Sequence, residues 1–229
     1  MRAVQGEGAV SHDIQQRERP ILFRGEMVRA ILAGQKTQTR RLVKVDDRKV
    51  RLRGKGNAWL YLDFDGVPGL SWRPYGGAST RPYDPEAASP YGMRGDRLWV
   101  REAFRLRADQ DDKPPSQDWW KTGAWYEADG NCDPCGCGGG AGRLRPSIHM
   151  PRWASRLTLE VTDVRVQRLQ EISGNDVAAE MGWPPCNRGP ECPCARNMFR
   201  PAWDRIYGKR ATWASNPWCW AITFRKVEP

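Results

Sequence analysis

Between Gly25 and Ala33 the apolar residues Met27, Val28, Ile31 and Leu32 share one helical face while Glu26 and Arg29 fall elsewhere, which predicts a short amphipathic helix. Gly34 supplies the left-handed stop. Asp96 to Phe104 instead alternates, with Leu98, Val100, Glu102 and Phe104 on one face and Trp99 and Arg101 on the other, as in a strand. That period places a carboxylate among apolar neighbours. A buried carboxylate is costly unless paired, so Glu102 is expected to have a cationic or donor partner, in its plainest form a structural ion pair.

Leu157, Leu159 and Val161 alternate in one parity and Val164 and Val166 in the other, so a long strand is expected with a bulge at Thr162-Asp163. Ser173 then opens a helix with Asp176 at the third position, flanked by Ile172 and Val177 at staple spacing, and Gly182 ends it. A further helix is expected near Pro201 to Tyr207, closed by Gly208. Trp218, Trp220, Ile222 and Phe224 alternate against Cys219, Ala221 and Thr223, which reads as a half-buried final strand.

Dispersed strands with two or three short helices define an α+β fold, expected to be a small β-barrel. Residues 1 to 18 lack periodicity and read as a disordered arm, with order beginning at Pro20-Ile21-Leu22-Phe23. The remaining residues, 19 to 229, read as one domain. Residues 46 to 94 are expected to be loops with one or two short strands. Insertions are expected at about 105 to 148 and 184 to 195.

The 229 residues carry 37 Lys plus Arg against 27 Asp plus Glu, a net charge of +10. No run approaches a membrane span, and no apolar leader follows Met1, so the expected compartment is the cytoplasm. A basic balance favours a polyanionic partner, most often nucleic acid, although it also aids solubility. The excess is local. From Lys36 to Gly56 nine cations, including Lys36, Arg40, Arg41 and Lys44, face only Asp46 and Asp47. Such a stretch is either a phosphate track or a solvated loop. Trp59 and Trp72 follow and offer stacking surfaces for unpaired bases.

Six cysteines cluster in the insertions as Cys132, Cys135 and Cys137, then Cys186, Cys192 and Cys194. Four of them suit a structural zinc that pins the two loops together, with a redox pair or free thiols as the alternative. Cys219 lies in the last strand and reads as a packed thiol. His12 falls in the arm and His149 is expected to pack in a loop, so no histidine pair supports ribonuclease-type acid–base chemistry.

Gly34 to Arg41 places Lys36 and Thr39 directly after a helix end. In the triad that the family resemblance of this segment implies for amide hydrolysis, Thr39 would be the nucleophile, Lys36 its base if burial and the neighbouring Arg40 and Arg41 lowered its pKa, and Glu180 the proton shuttle. The alternative is that Lys36 binds phosphate, Thr39 caps a strand and Glu180 pairs with Lys36.

The segment Ile31 to Arg41, together with Gly95 to Glu102, Pro146 to Arg156, the helix carrying Glu180, and Asn216-Pro217-Trp218, resembles the ASCH (ASC-1 homology) domain of the PUA-like superfamily. The similarity is greatest to the longer phage and prophage forms. The resemblance implies a β-barrel whose cleft, here Lys36, Thr39, Arg40, Arg41, Glu102 and Glu180, binds RNA or a modified nucleoside. It also brings in a branch similar to amidohydrolases that deacetylate N4-acetylcytidine with a Lys, a Thr and a Glu, at the positions of Lys36, Thr39 and Glu180. This chain is about twice as long as that branch. Ribonuclease activity is a further expectation within the resemblance; a third class, an interaction module acting on a host protein, would use the insertions and leave the cleft idle.

Overall fold

A computed structural model of the chain describes residues 16–43, 58–62, 70–74, 89–114, 123–130, 140–185, 187, 189 and 193–227. Its strands are β1 (Glu18–Leu22), β2 (Gln38–Leu42), β3 (Ala58–Leu62), β4 (Leu70–Pro74), β5 (Arg97–Arg101), β6 (Phe104–Arg105), β7 (Trp125–Tyr126), β8 (Thr158–Arg168) and β9 (Trp218–Lys226). The helices are α1 (Gly25–Leu32), α2 (Gly174–Met181) and α3 (Pro193–Tyr207). Five strands form one sheet in the order β1-β5-β8-β9-β2, while β3 with β4 and β6 with β7 form two-stranded ladders. Only the β1 and β5 pairing in the large sheet is parallel. The architecture is therefore α+β. Among the described residues the backbone ladder of the large sheet is open, with β1 and β2 at its edges. No helix among them is long and apolar enough to cross a membrane.

The inner face of the sheet and α1 enclose one core, contributed by Ile21, Phe23, Val28, Ile31, Leu98, Val100, Leu159, Val161, Val164, Trp220, Ile222 and Phe224. Although its edges do not share backbone bonds, Arg41 of β2 reaches across the gap. Its guanidinium donates to the Leu22 carbonyl at 2.5 Å and lies 5.1 Å from the centroid of the Phe23 ring. A charged bridge thus draws the two edge strands together over the core.

Several local expectations are met. The register shift in β8 falls between Val161 and Asp163. Ser173 caps α2 through a reciprocal box with Asp176, and Gly182 closes that helix in the left-handed conformation. A Cβ on Gly182 would come within 2.9 Å of Ala30 Cβ, so the glycine also permits α2 to close on the turn after α1. Leu98, Val100, Glu102 and Phe104 are all buried, although β5 ends at Arg101 and β6 begins only at Phe104.

Other expectations change. Ordered structure reaches further back than Pro20, because β1 starts at Glu18, while residues 1–15 lie outside the described set. The helix expected from Pro201 begins at Pro193, inside the proposed second insertion. Proline is well suited to a first helical position, where its missing N–H costs nothing. Within α3, Pro201 removes the N–H that would meet the Asn197 carbonyl. The last strand is buried on both faces rather than one, since Cys219 and Ala221 are as enclosed as Trp220 and Ile222. The reason is a second core of Leu169, Ile172, Val177, Phe199 and Trp203, which α2 and α3 pack onto Cys219. His149 is exposed at the end of a short turn rather than packed.

The described parts of the first insertion fold down on a third cluster of Phe104, Leu106, Met150 and Ala154. Arg145 ties it together by donating to the Gln110 and Asp111 carbonyls at 3.0 and 3.2 Å.

Candidate functional site

The residues from Lys36 to Arg41 form the approach to β2 and most of that edge strand. The Phe224 amide donates to the Thr37 carbonyl and the Val43 amide to the Trp218 carbonyl, so odd-numbered residues turn their backbone groups toward β9. By the alternation of a strand, Gln38 and Arg40 turn theirs outward, to the free edge. Both outward groups are satisfied by side chains. The Lys36 ammonium donates to the Gln38 carbonyl at 2.7 Å, and the Arg40 amide donates to Glu180 Oε1 at 2.9 Å.

Lys36 and Glu180 close on each other as they do this. Nζ lies 3.5 Å from Glu180 Oε1 and also donates to the Glu180 backbone carbonyl. Their side chains are 1% and 8% exposed. The ammonium has three donors, and its contacts are the Gln38 carbonyl, the Glu180 carbonyl and the Glu180 carboxylate. Burial lowers the Lys36 pKa; Glu180 opposes that shift, while Arg41 and Arg40 reinforce it.

Arg40 extends the network on the α2 side. Its guanidinium, fully buried, donates to Gln38 Oε1 at 2.5 Å, Asp176 Oδ2 at 3.1 Å and Glu180 Oε2 at 3.4 Å. Asp176 also accepts from Gln38 Nε2 at 3.0 Å and Arg165 at 3.4 Å. Two cations, Lys36 and Arg40, therefore meet two carboxylates, Glu180 and Asp176, a balance that burial demands. Burial works to raise the Asp176 pKa, but Arg40 and the hydrogen bonds from Gln38 and Ser173 outweigh it and hold the group below its ordinary value.

The other candidates are distributed as follows. Thr39 is buried and pairs in register with Ile222, on the strand face opposite Gln38 and Arg40. Arg41 shares that face and bridges to Leu22. Glu102, 1% exposed, belongs to a separate network in which Arg156 Nε and Nη2 grip its two oxygens at 3.0 and 3.2 Å. Arg156 also holds Asp129 at 2.7 and 2.8 Å and lies 3.9 Å from the centroid of Tyr126. The cationic partner expected for Glu102 is thus Arg156, not a member of the Lys36 cluster. Desolvation raises the Glu102 pKa against the opposing pull of Arg156.

In the backbone register of the β3/β4 hairpin, Trp59 is opposite Arg73 and Trp72 opposite Leu60. Lys44, Cys132, Cys135, Cys137, Cys186 and Cys192 lie outside the described residues. Cys194 is half-buried in the first turn of α3. Among the described residues no three His, Cys, Asp or Glu side chains converge on a common metal position. Cys219 is packed as expected, and burial pushes its thiol up to about 12.

Sequence reasoning did not find Gln38 and Asp176 as members of the Lys36 network. Both carried a usable signal: Gln38 alternates with Arg40 on β2, and Asp176 lies four residues before Glu180, on the same helical face. No protein-family model, curated protein or solved structure matches the chain.

Proposed function

We propose that the chain is an RNA- or modified-nucleoside-binding protein of the ASCH type, its curled five-stranded sheet a PUA-like barrel drawn together at the gap between β1 and β2. The observation that carries this reading is the meeting of Lys36 and Arg40, from the motif after α1, with Glu180, 140 and more residues further along the chain, in one buried and charge-balanced network. A shared site for these three is what the resemblance implies. The ammonium acts as a donor throughout, which fits a positioning role better than that of a general base. The basic stretch that follows these buried cations, beginning with Arg41 and Lys44, supplies the attraction for phosphate. Glu102 takes a structural role in its own network with Arg156.

A second reading, hydrolysis of an N4-acetylcytidine-like nucleoside by Lys36, Thr39 and Glu180, is favoured by one observation: burial and neighbouring arginines depress the Lys36 pKa, as a base requires. Binding of labelled single-stranded RNA across a salt series, with N4-acetylcytidine turnover by wild type and Lys36→Ala, separates the two. The binding reading expects affinity that falls steeply with salt and no turnover above the variant. Lys36-dependent turnover would replace it with the hydrolase.

A further inference from the structure

On the outer face of the sheet, far in sequence from the Lys36 network, β5 presents Arg97, Trp99 and Arg101 in alternation with the buried Leu98 and Val100. The Trp99 ring has the Arg101 guanidinium carbon 5.4 Å from its centroid and that of Arg152 at 5.9 Å. Arg101 donates to the Ile148 carbonyl, which brings the turn carrying Ile148 alongside the strand. Ile148 is 60% exposed and Leu22, opposite Arg101 in the β1 register, is 43% exposed. The result is an indole flanked by guanidinium groups and bordered by two solvent-facing aliphatic side chains.

The charge on this face is unbalanced. Glu18 is gripped by Arg152 at 2.9 and 3.2 Å and Glu160 by Arg225 at 2.8 and 3.0 Å, so each acid already has its own cation. Arg97 lies in register beside both Glu18 and Glu160, each already held by another arginine, so Arg97 and Arg101 are additional to those two pairs. A guanidinium presents a planar fork of donors, and a phosphate is a group whose geometry that fork fits. Arg97 and Arg101 are separated by roughly 13 Å along the strand, with the stacking residue midway. Alternating cation, aromatic and cation is the arrangement that holds a sugar-phosphate backbone while a base stacks, and stacking on a side chain requires an unpaired base.

We propose that this face is a second nucleic-acid contact surface that takes single-stranded RNA, with phosphates on Arg97 and Arg101 and a base against Trp99, whose stacking surface Arg152 extends. It rests on the reading of the chain as an RNA binder and adds a surface separate from the cleft. The fit is poor for duplexes, whose bases are not available to an indole.

The test uses the full chain and a fluorescein-labelled oligouridylate, in anisotropy titrations across a salt series, with 5-iodouridine at successive positions for photocrosslinking. Trp99→Ala should weaken binding roughly ten- to a hundredfold, and Trp99→Phe should retain it to within about threefold. The double variant Arg97→Gln/Arg101→Gln should reduce the salt slope by about 1.4, two single-strand phosphate contacts at ~0.7 each. Crosslinks should map to the peptide holding Trp99, a readout that does not depend on the stability of any variant. Wild-type binding with unchanged variants and crosslinks elsewhere would overturn this surface and leave the proposed function standing. Equal affinity for duplex RNA would also overturn it. Failure of the wild type to bind any RNA would remove both.

Discussion

Lys36 and Glu180 stand 3.5 Å apart at the free edge of β2, and together they occupy the hydrogen-bonding positions that a neighbouring strand would have filled. Lys36 takes the outward Gln38 carbonyl and Glu180 the outward Arg40 amide. The pair therefore does two jobs: it neutralises itself and it terminates a sheet edge inside the protein, where unpaired backbone groups are expensive.

Removing Glu180 alone leaves a buried charge imbalance that removing both partners does not. Glu180→Ala leaves the buried Lys36 and Arg40 with the part-buried Asp176 alone and is expected to cost about 3–5 kcal/mol in chemical denaturation. The double variant Lys36→Met/Glu180→Leu relieves the charge imbalance but leaves three backbone groups without these partners, the Gln38 and Glu180 carbonyls and the Arg40 amide, at about 1–3 kcal/mol each. It should recover part of the loss and remain less stable than wild type. A double variant as stable as wild type would sink the edge-terminating role.

The Lys36 ionisation has a defined sign. Its folded-state pKa lies below the ordinary 10.5, so in the interval between the two the unfolded chain holds a proton that the folded chain has shed. Stability then rises with pH across that interval, because the unfolded state binds more protons. Denaturation of wild type and Lys36→Met at successive alkaline pH values should show the difference moving in favour of wild type as pH climbs toward 10.5. A difference that stays flat or moves the other way would contradict the assignment.

Among the described residues Arg156 holds both carboxylate oxygens of Glu102, and it serves Asp129 as well. Arg156→Ala is expected to destabilise the protein by about 3 kcal/mol through the uncompensated Glu102 charge. Adding Glu102→Gln should restore a measurable part of that loss in a double-mutant cycle. Additive effects would mean that the two residues do not act together.

The cysteines divide into two chemical groups. We propose a structural zinc on four of Cys132, Cys135, Cys137, Cys186, Cys192 and Cys194, for which elemental analysis of protein purified without chelator should return about one zinc per chain. Metal-free protein with all six thiols titratable would remove the clasp. Cys219, with its thiol at about 12 and enclosed by the second core, should resist maleimide at pH 8 in the native state. Peptide mapping should find it modified only after denaturation.

Much of the local structure was legible before any coordinates. The period of Met27, Val28, Ile31 and Leu32 located α1, and the parity change at Thr162-Asp163 located the irregularity in β8. The capping box at Ser173 located the start of α2. Each is a short-range pattern set by backbone geometry. The start of α3 was less legible because Pro193 and Cys194 look like loop residues until the helix that follows them is known. Burial of the second face of β9 was invisible, since Cys219 and Ala221 are small residues that suit either a solvated or a covered surface.

The same division runs through the candidate site. Alternation alone required that Glu102 be buried and therefore partnered, but only the packing of the segment around Arg156 against β5 supplied the partner. The motif after α1 put Lys36, Gln38, Arg40 and Arg41 within six residues, yet it could not say that Gln38 and Arg40 would turn outward and Arg41 toward Leu22. That follows from β2 being an edge strand paired on one side with β9. Glu180 joins the network because α2 packs on the free side of β2, and Gly182 allows the close approach. Sequence determines which groups must be satisfied, through periodicity and the cost of burial; the topology of the sheet decides which distant residue satisfies them.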